Sequence, residues 1–335
     1  GRIDKAVGEQ TDAIKSSKVY SGLDEKDAKR DSLLQDIATI LKAMSVIGVA
    51  EIEEAAKLLS KIFAKYGTYH VASEAPFRRI PYLEAMERYG CDKPDLRIDL
   101  VVEDITELVK SAEFAPFTGG NAVKAVAVSD CSLTRKQIDK LCADVEVQAG
   151  QKPYWFRMDE NGALVGGVSK FLVGHEETLK AIGVEPGCLV LVSAGTKGAA
   201  QKTAGVARRM LGAAVPGHMD EARYAFCWIV DFPMFEIGEE SGELEFCHNP
   251  FSMPNGGLEI LEKAERGEVD PLDIYAYQYD LVCNGVELSS GAVRNHDPDI
   301  MIKAFEMVRL GEEDVKAKFP AMYNAFCYGA PPHAG

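Results

Sequence analysis

Apolar positions along the chain follow a helical period in its first part and give way to short strand-like runs separated by turns and helices farther on. From Asp31, with Asp31 or Ser32 as the cap, Leu34, Ile37, Leu41 and Met44 recur at helical spacing. A second stripe, Ile52, Ala55, Ala56, Leu59, Ile62 and Phe63, predicts a helix from Glu51 to Tyr66 that Gly67 stops. Pro76 and Pro81 keep that stretch out of a helix interior, and Tyr82 to Tyr89 predicts a short helix ended by Gly90. Cys91 to Arg97 reads as a loop, with Asp92 to Asp95 as a turn. Beyond Gly119-Gly120 the texture shifts to short strands at Val123 to Val128, Tyr154 to Met158 and Cys188 to Val192. Asp139 to Gln151 and Asp159 to Ala163 are expected to be turns and connections. The dense apolar run Phe226 to Phe235 predicts a buried strand, Asp299 to Leu310 a helix, and Pro320 the opening of a last helix to Phe326.

The most informative segment is Tyr279 to Asp297. Asn284-Gly285 is a strong hairpin signal, because both central residues of a type I′ turn need positive φ. Counting outward sets Cys283 against Val286, Val282 against Glu287, Leu281 against Leu288 and Asp280 against Ser289. Alternation then divides the ribbon. Tyr279, Leu281, Cys283, Val286 and Leu288 form the face expected to be core, and Asp280, Val282, Glu287 and Ser289 share the other. Asp280 and Glu287 become diagonal neighbours roughly 7 Å apart at the backbone, within reach of one divalent cation. One or two carboxylates plus substrate phosphates are a common Mg²⁺ site. Arg294 adds a planar guanidinium that can grip a carboxylate with two hydrogen bonds, suggesting an anionic substrate with a phosphorylated cosubstrate. Strict alternation turns Arg294 to the wrong face, and a bulge at Ser289-Ser290-Gly291 would bring it back.

With 335 residues, 47% hydrophobic and 27% charged, the composition is that of an ordinary globular protein of about two domains. No apolar run approaches a membrane span and no secretory signal opens the chain, so the expected location is cytoplasmic, without a membrane partner. The eight cysteines lack any Cys-x-x-Cys pair, which favours free thiols over a zinc site or disulfides. A formal charge of −15 argues against non-specific wrapping of nucleic acid. Arg78-Arg79, Arg135-Lys136 and Arg208-Arg209 are the candidate local basic patches. Leu189 to Gly198 imitates a phosphate loop, but Ala199 stands where the lysine is required, so a strand-to-helix turn is expected.

Four segments together resemble the bacterial type of aspartyl-tRNA synthetase: Trp228-Ile-Val-Asp-Phe-Pro-Met-Phe-Glu236, Cys247-His-Asn-Pro-Phe-Ser-Met-Pro254, the hairpin through Asn295-His-Asp297, and Tyr328-Gly-Ala-Pro-Pro-His-Ala-Gly335. Pro76 to Arg97 is similar to the same family, and the likeness runs in order from about Glu51 to Gly335. It implies an α+β fold, a class II antiparallel sheet flanked by helices, with an inserted GAD domain. The implied parts are a catalytic core over 51–117 and 218–335, the insertion at 118–217, and an uncertain segment at 1–50. It also implies ATP and Mg²⁺ as cofactors and aspartate and tRNA as substrates. Asp280 and Glu287 would hold Mg²⁺ on the ATP phosphates, with Glu287 also a nucleotide-binding and catalytic residue. Arg294 would clamp the aspartate side chain in a catalytic role, and His248 would close over the amino acid from a mobile loop. Asp231 and Glu236 are expected to serve structure.

Three departures accompany the likeness. The glycine-rich third signature would begin just beyond Gly335. Asp24 to Asp31 is a faint echo of the second, with Asp24 where an ATP-binding arginine belongs. The first signature and the anticodon-reading domain have no counterpart. The chain is therefore expected to be a fragment or decayed copy, inactive alone and of doubtful dimerisation. The competing expectation is a non-catalytic paralogue that binds aspartate or tRNA.

Overall fold

The computed structural model describes residues 71–330 except 74, 120, 239 and 240. Apart from Val71 these fall in one compact unit, Ala72–Gly335. The helices expected within 31–66 and the signature echo at 24–31 lie outside the described residues. Among the described residues no helix is long and apolar enough to cross a membrane.

Two sheets organise the unit. The first is four-stranded and mixed, in the order β11, β10, β7, β1: Val286–Ala292, Tyr275–Cys283, Phe226–Pro233 and Arg78–Pro81. Its pairs are antiparallel except β1, which runs parallel to β7. The run Phe226 to Phe235 does supply a central strand, with Cys227, Ile229 and Phe232 fully buried. Helix α1, Tyr82–Tyr89, follows β1 directly and ends at Gly90 with φ 71°, as its sequence predicts. It packs over Ile80, Cys227, Ile229 and Val282.

The second sheet has five antiparallel strands in the order β2, β3, β6, β4, β5: Glu103–Asp104, Ala122–Val128, Leu189–Gly195, Tyr154–Met158 and Leu164–Val165. Continuous apolar strands such as Leu189 to Val192 occur because both faces are covered. Helices α2, Arg135–Ala149, and α4, Lys197–Ala214, cover one face, and a short helix α3, Glu176–Ala181, lies on the other. The α2 helix corrects the expectation of turns over Asp139 to Gln151. Ile138, Leu141, Cys142 and Val145 are all buried at helical spacing, and Thr134 caps the helix with Gln137. The would-be phosphate loop is the expected turn: Thr196 caps α4 by accepting from the Ala199 backbone N–H at 3.3 Å.

The second sheet docks on α1 and on the loop after it. Buried Lys124 of β3 donates to Glu87 of α1 and to Asp104, each at 2.9 Å, and Gln201 of α4 donates to the other Glu87 oxygen. Helix α4 crosses the end of α1 at Gly205, where an added Cβ would lie 2.6 Å from the Gly90 carbonyl oxygen. A ribbon of β8, Phe235–Ile237, with β9, Leu244–Phe246, follows β7, and helices α5, Gly257–Glu265, and α6, Pro298–Met307, complete the packing around Phe235. Helices α7, Glu312–Lys318, and α8, Pro320–Cys327, close the described chain. All eight cysteines are free thiols.

Candidate active site

The hairpin turn forms at Asn284-Gly285, with φ 53° and 80°. The Asn284 side chain pins it to the start of β7, accepting from Ala225 N–H at 2.9 Å and donating to the Arg223 carbonyl at 3.1 Å. Cys283 faces Val286 and Val282 faces Glu287 as predicted. Beyond them the register departs: Leu281 pairs with Ser289 and Asp280 with Ser290. The bulge therefore leaves out Leu288, nearer the turn than the Ser289-Ser290-Gly291 expected. Its effect on Arg294 is the one anticipated. Gln278 pairs with Ala292, Val293 N–H donates to the Tyr277 carbonyl, and alternation sets Arg294 on the face of Asp280 and Gln278.

The expected core face is corrected. Val286 and Leu288 are 58% and 56% exposed, whereas Val282 and Asp280 are buried. The β11 strand lies at the sheet edge, so its tip stays wet, while β10 lies between β7 and β11 with α1 covering the Asp280 side. Asp280 sits opposite Ile229 at the rim of that core. Its Oδ1 is buried without a hydrogen-bond partner. Burial, reinforced by the Glu287 charge, pushes its pKa up to about 6, and Asp92 adds to the rise while Lys93 opposes it.

The loop after α1, by its sequence only a turn, reaches this acid pair. Lys93 Nζ lies 2.7 Å from Asp92 Oδ2 and 3.3 Å from Glu287 Oε2. Asp95, itself buried, accepts both Nε and Nη2 of Arg97 at 3.0 and 2.7 Å. The turn glycine packs against this loop, since a Cβ on Gly285 would meet Asp95 Cβ at 3.4 Å. Arg208 of α4 holds the loop from behind, donating to the carbonyls of Leu100, Ile98 and Asp95 at 2.6, 2.8 and 3.1 Å while stacking 4.8 Å from the Tyr89 ring centroid. Arg208 is thus a buried strut, which removes Arg208-Arg209 from the candidate basic patches. Arg78 pairs with Glu84 at 3.0 Å, and Arg135 lies 3.8 Å from Asp139.

His248 joins the site from the segment after β9. Its ring packs edge-on against Phe232 and Tyr82, with centroids 4.9 and 5.5 Å apart. Those neighbours displace water and lower its pKa, against the opposing pull of Asp92, Glu236 and Glu287. The imidazole is therefore neutral at pH 7. Glu236 accepts from the Cys247 thiol at 3.5 Å, and burial with that carboxylate raises the thiol pKa. Burial, with Cys247, Asp92 and Glu236, also raises the Tyr82 phenol well above its ordinary range. Asp231 is exposed, with φ 56°, inside β7 where its register against β10 shifts.

Arg294 is half-buried and has no ion-pair partner among the described residues. Arg294 lies four positions beyond Ser290, the partner of Asp280, which places it about 13 Å along the strand from Asp280 and farther from Glu287. The structure brings Asp280 and Glu287 together, sets the His248 ring within electrostatic reach of Glu287, and leaves Arg294 farther along the same face. Among the described residues no three His, Cys, Asp or Glu side chains form a metal cluster. The Asp280–Glu287 pair nevertheless suits a hard cation that takes its other ligands from phosphate and water, because Asp280 holds an unpartnered buried oxygen. A cavity of about 460 Å³ lies elsewhere, lined by Arg78, Arg88, Asp99 and Arg223, and contains none of these four residues.

Residues 35–335 match the model of the tRNA synthetases class II (D, K and N). The chain belongs to that family. Among curated members, aspartate–tRNA ligase of Streptomyces avermitilis is 44% identical over 93% of this chain and 52% of its own length. That of Streptomyces coelicolor is 46% identical over 83% of this chain and 47% of its own. The aspartate–tRNA(Asp/Asn) ligase of Rickettsia felis is 43% identical over 82% of this chain and 46% of its own. The chain spans about half the length of these relatives.

Proposed function

We propose that this chain is the aspartate- and nucleotide-binding part of an aspartate–tRNA ligase, with ATP and Mg²⁺ as cofactors and tRNA as the acceptor. The observation that carries this reading is the pairing of a buried, incompletely satisfied Asp280 with Glu287 on the same sheet face as the unpaired Arg294. The roughly 13 Å along the strand between Asp280 and Arg294 is room for an amino acid held at one end and a phosphate at the other. Arg294 would take the side-chain carboxylate of aspartate with two parallel hydrogen bonds. Asparagine offers one acceptor and two donors there, leaving guanidinium donors unpaired. Asp280 and Glu287 would hold the metal, which supplies charge neutralisation on the nucleotide phosphates. The neutral His248 ring, seated on Phe232 and Tyr82, would cover the amino acid without adding charge beside the guanidinium. The residues at 118–217 would form the GAD-type insertion of the bacterial members.

Calorimetric titration of the chain tests this reading. Aspartate should bind in preference to asparagine, Arg294→Leu should remove aspartate binding while sparing Mg²⁺·ATP, and Asp280→Asn should weaken Mg²⁺·ATP. Equal affinity for the two amino acids, or an unchanged aspartate affinity in Arg294→Leu, overturns it. Aspartate-dependent pyrophosphate exchange measures activation directly.

A further inference from the structure

Lys93 is a cation that Glu287 of the acid pair already holds. Its ammonium bridges Asp92 and Glu287, and its charge offsets part of the repulsion on Asp280. An ordinary surface ion pair would leave both side chains and their backbones mobile. Here the backbone on the C-terminal side of Lys93 is clamped from two directions. Arg208 takes three carbonyls between Asp95 and Leu100, and the hairpin turn sits against both Asp95 and the Lys93 carbonyl, 3.4 and 3.7 Å from a Cβ built on Gly285. Pro94 is buried directly after it. A half-exposed lysine on a loop fixed in this way points at one place.

We propose that Lys93 is a further binding residue of the nucleotide site, a placeholder counter-ion that releases Glu287 to a divalent cation and then faces the nucleotide phosphates. An ammonium has three donors, and the two carboxylates engage only part of them. A divalent cation on Glu287 would lie close to the Lys93 ammonium already 3.3 Å from its Oε2, and the two like charges repel, so bare metal tends to displace the ammonium. Once phosphates are present they add several negative charges, and a displaced ammonium held within a few ångströms is recruited as a point charge. Lys93 therefore opposes binding of the metal alone and supports binding of the metal with nucleotide. This assignment rests on the nucleotide-site reading above.

Lys93→Met and Lys93→Arg in the full chain test it. Mn²⁺ binding is read by electron paramagnetic resonance in the absence of nucleotide, and Mg²⁺·ATP binding by calorimetry. Lys93→Met should bind Mn²⁺ alone about threefold tighter, the scale of a half-exposed ion pair removed. The same variant should bind Mg²⁺·ATP about tenfold more weakly, the scale of one lost charge-assisted hydrogen bond. Lys93→Arg, which keeps the charge, should restore most of the Mg²⁺·ATP affinity, and retained Mn²⁺ binding by the Met variant shows that its site is folded. Movement of the two affinities in opposite directions is the signature, since a structural role would weaken both. Lys93→Met that changes neither affinity, or weakens both, overturns the assignment while leaving the nucleotide site intact. A wild-type chain that binds neither Mn²⁺ nor Mg²⁺·ATP overturns the functional reading and this inference with it.

Discussion

Replacing Asp280 by Asn should make the protein more stable at neutral pH while harming its site. Asp280 is buried with one oxygen unpartnered and the Glu287 charge close by, so its carboxyl stays protonated until about pH 6 rather than 3.8. The native state thus binds this proton more tightly than the unfolded chain does. Stability from this group is complete below pH 3.8 and is lost as pH rises through about 6. A shift of about two units is worth no more than about 3 kcal/mol. Asn resembles the neutral acid at every pH. Wild type and Asp280→Asn should therefore have similar unfolding free energies near pH 4, with the variant ahead by about 2–3 kcal/mol at pH 8. Urea denaturation of both proteins at pH 4, 5, 6, 7 and 8 in chelator measures the gap, and titration of shared groups cancels in the difference. A variant less stable than wild type at pH 8, or a gap that does not widen with pH, refutes the reasoning. Adding Mg²⁺ at pH 8 should then stabilise wild type but not the variant.

Three further outcomes are expected. Arg208→Met removes the donors to three carbonyls and should cost about 3 kcal/mol in urea unfolding, because those carbonyls are left behind in a buried seam; an unchanged midpoint would show that the loop holds itself. Gly205→Ala should lower stability by about 1–3 kcal/mol, since its methyl would lie 2.6 Å from a backbone oxygen that cannot move aside alone; a thermal midpoint equal to wild type would count against that crossing. Arg294→Lys should retain part of the aspartate affinity that Arg294→Leu loses, because a point charge replaces one with a two-donor fork; equal losses in calorimetry would show that the fork geometry is everything.

Elements specified by neighbours in sequence were legible before the fold was known. Tyr82 to Tyr89 ends at Gly90 because a glycine there adopts positive φ, and Asn284-Gly285 turns for the same reason. The apolar run at Phe226 marks a strand wherever it goes. The α2 helix was also legible, since Ile138, Leu141, Cys142 and Val145 keep helical spacing and Thr134 with Gln137 forms a capping box. Reading that stretch as turns overlooked a local signal.

Long-range packing decided the rest. Leu288 is left out of register because β10 pairs with β7 on its other side and α1 covers Val282, so which face is core depends on elements 50 and 200 residues away rather than on the hairpin's own alternation. Alternation shows only that two faces differ, and tertiary contact chooses between them. The acids, the arginine and the histidine of the candidate site could be singled out from residue type and motif, because their chemistry is carried by the side chain itself. Lys93 could not, since one lysine between two aspartates looks like any solvated loop until α4 and the hairpin turn hold it against Glu287. In this protein the sequence by itself determined which groups are present and which local turns they can make. Only the assembled structure set their distances, and with them the charge balance at the acid pair, because electrostatic energy depends on separation and on water excluded by distant parts of the chain.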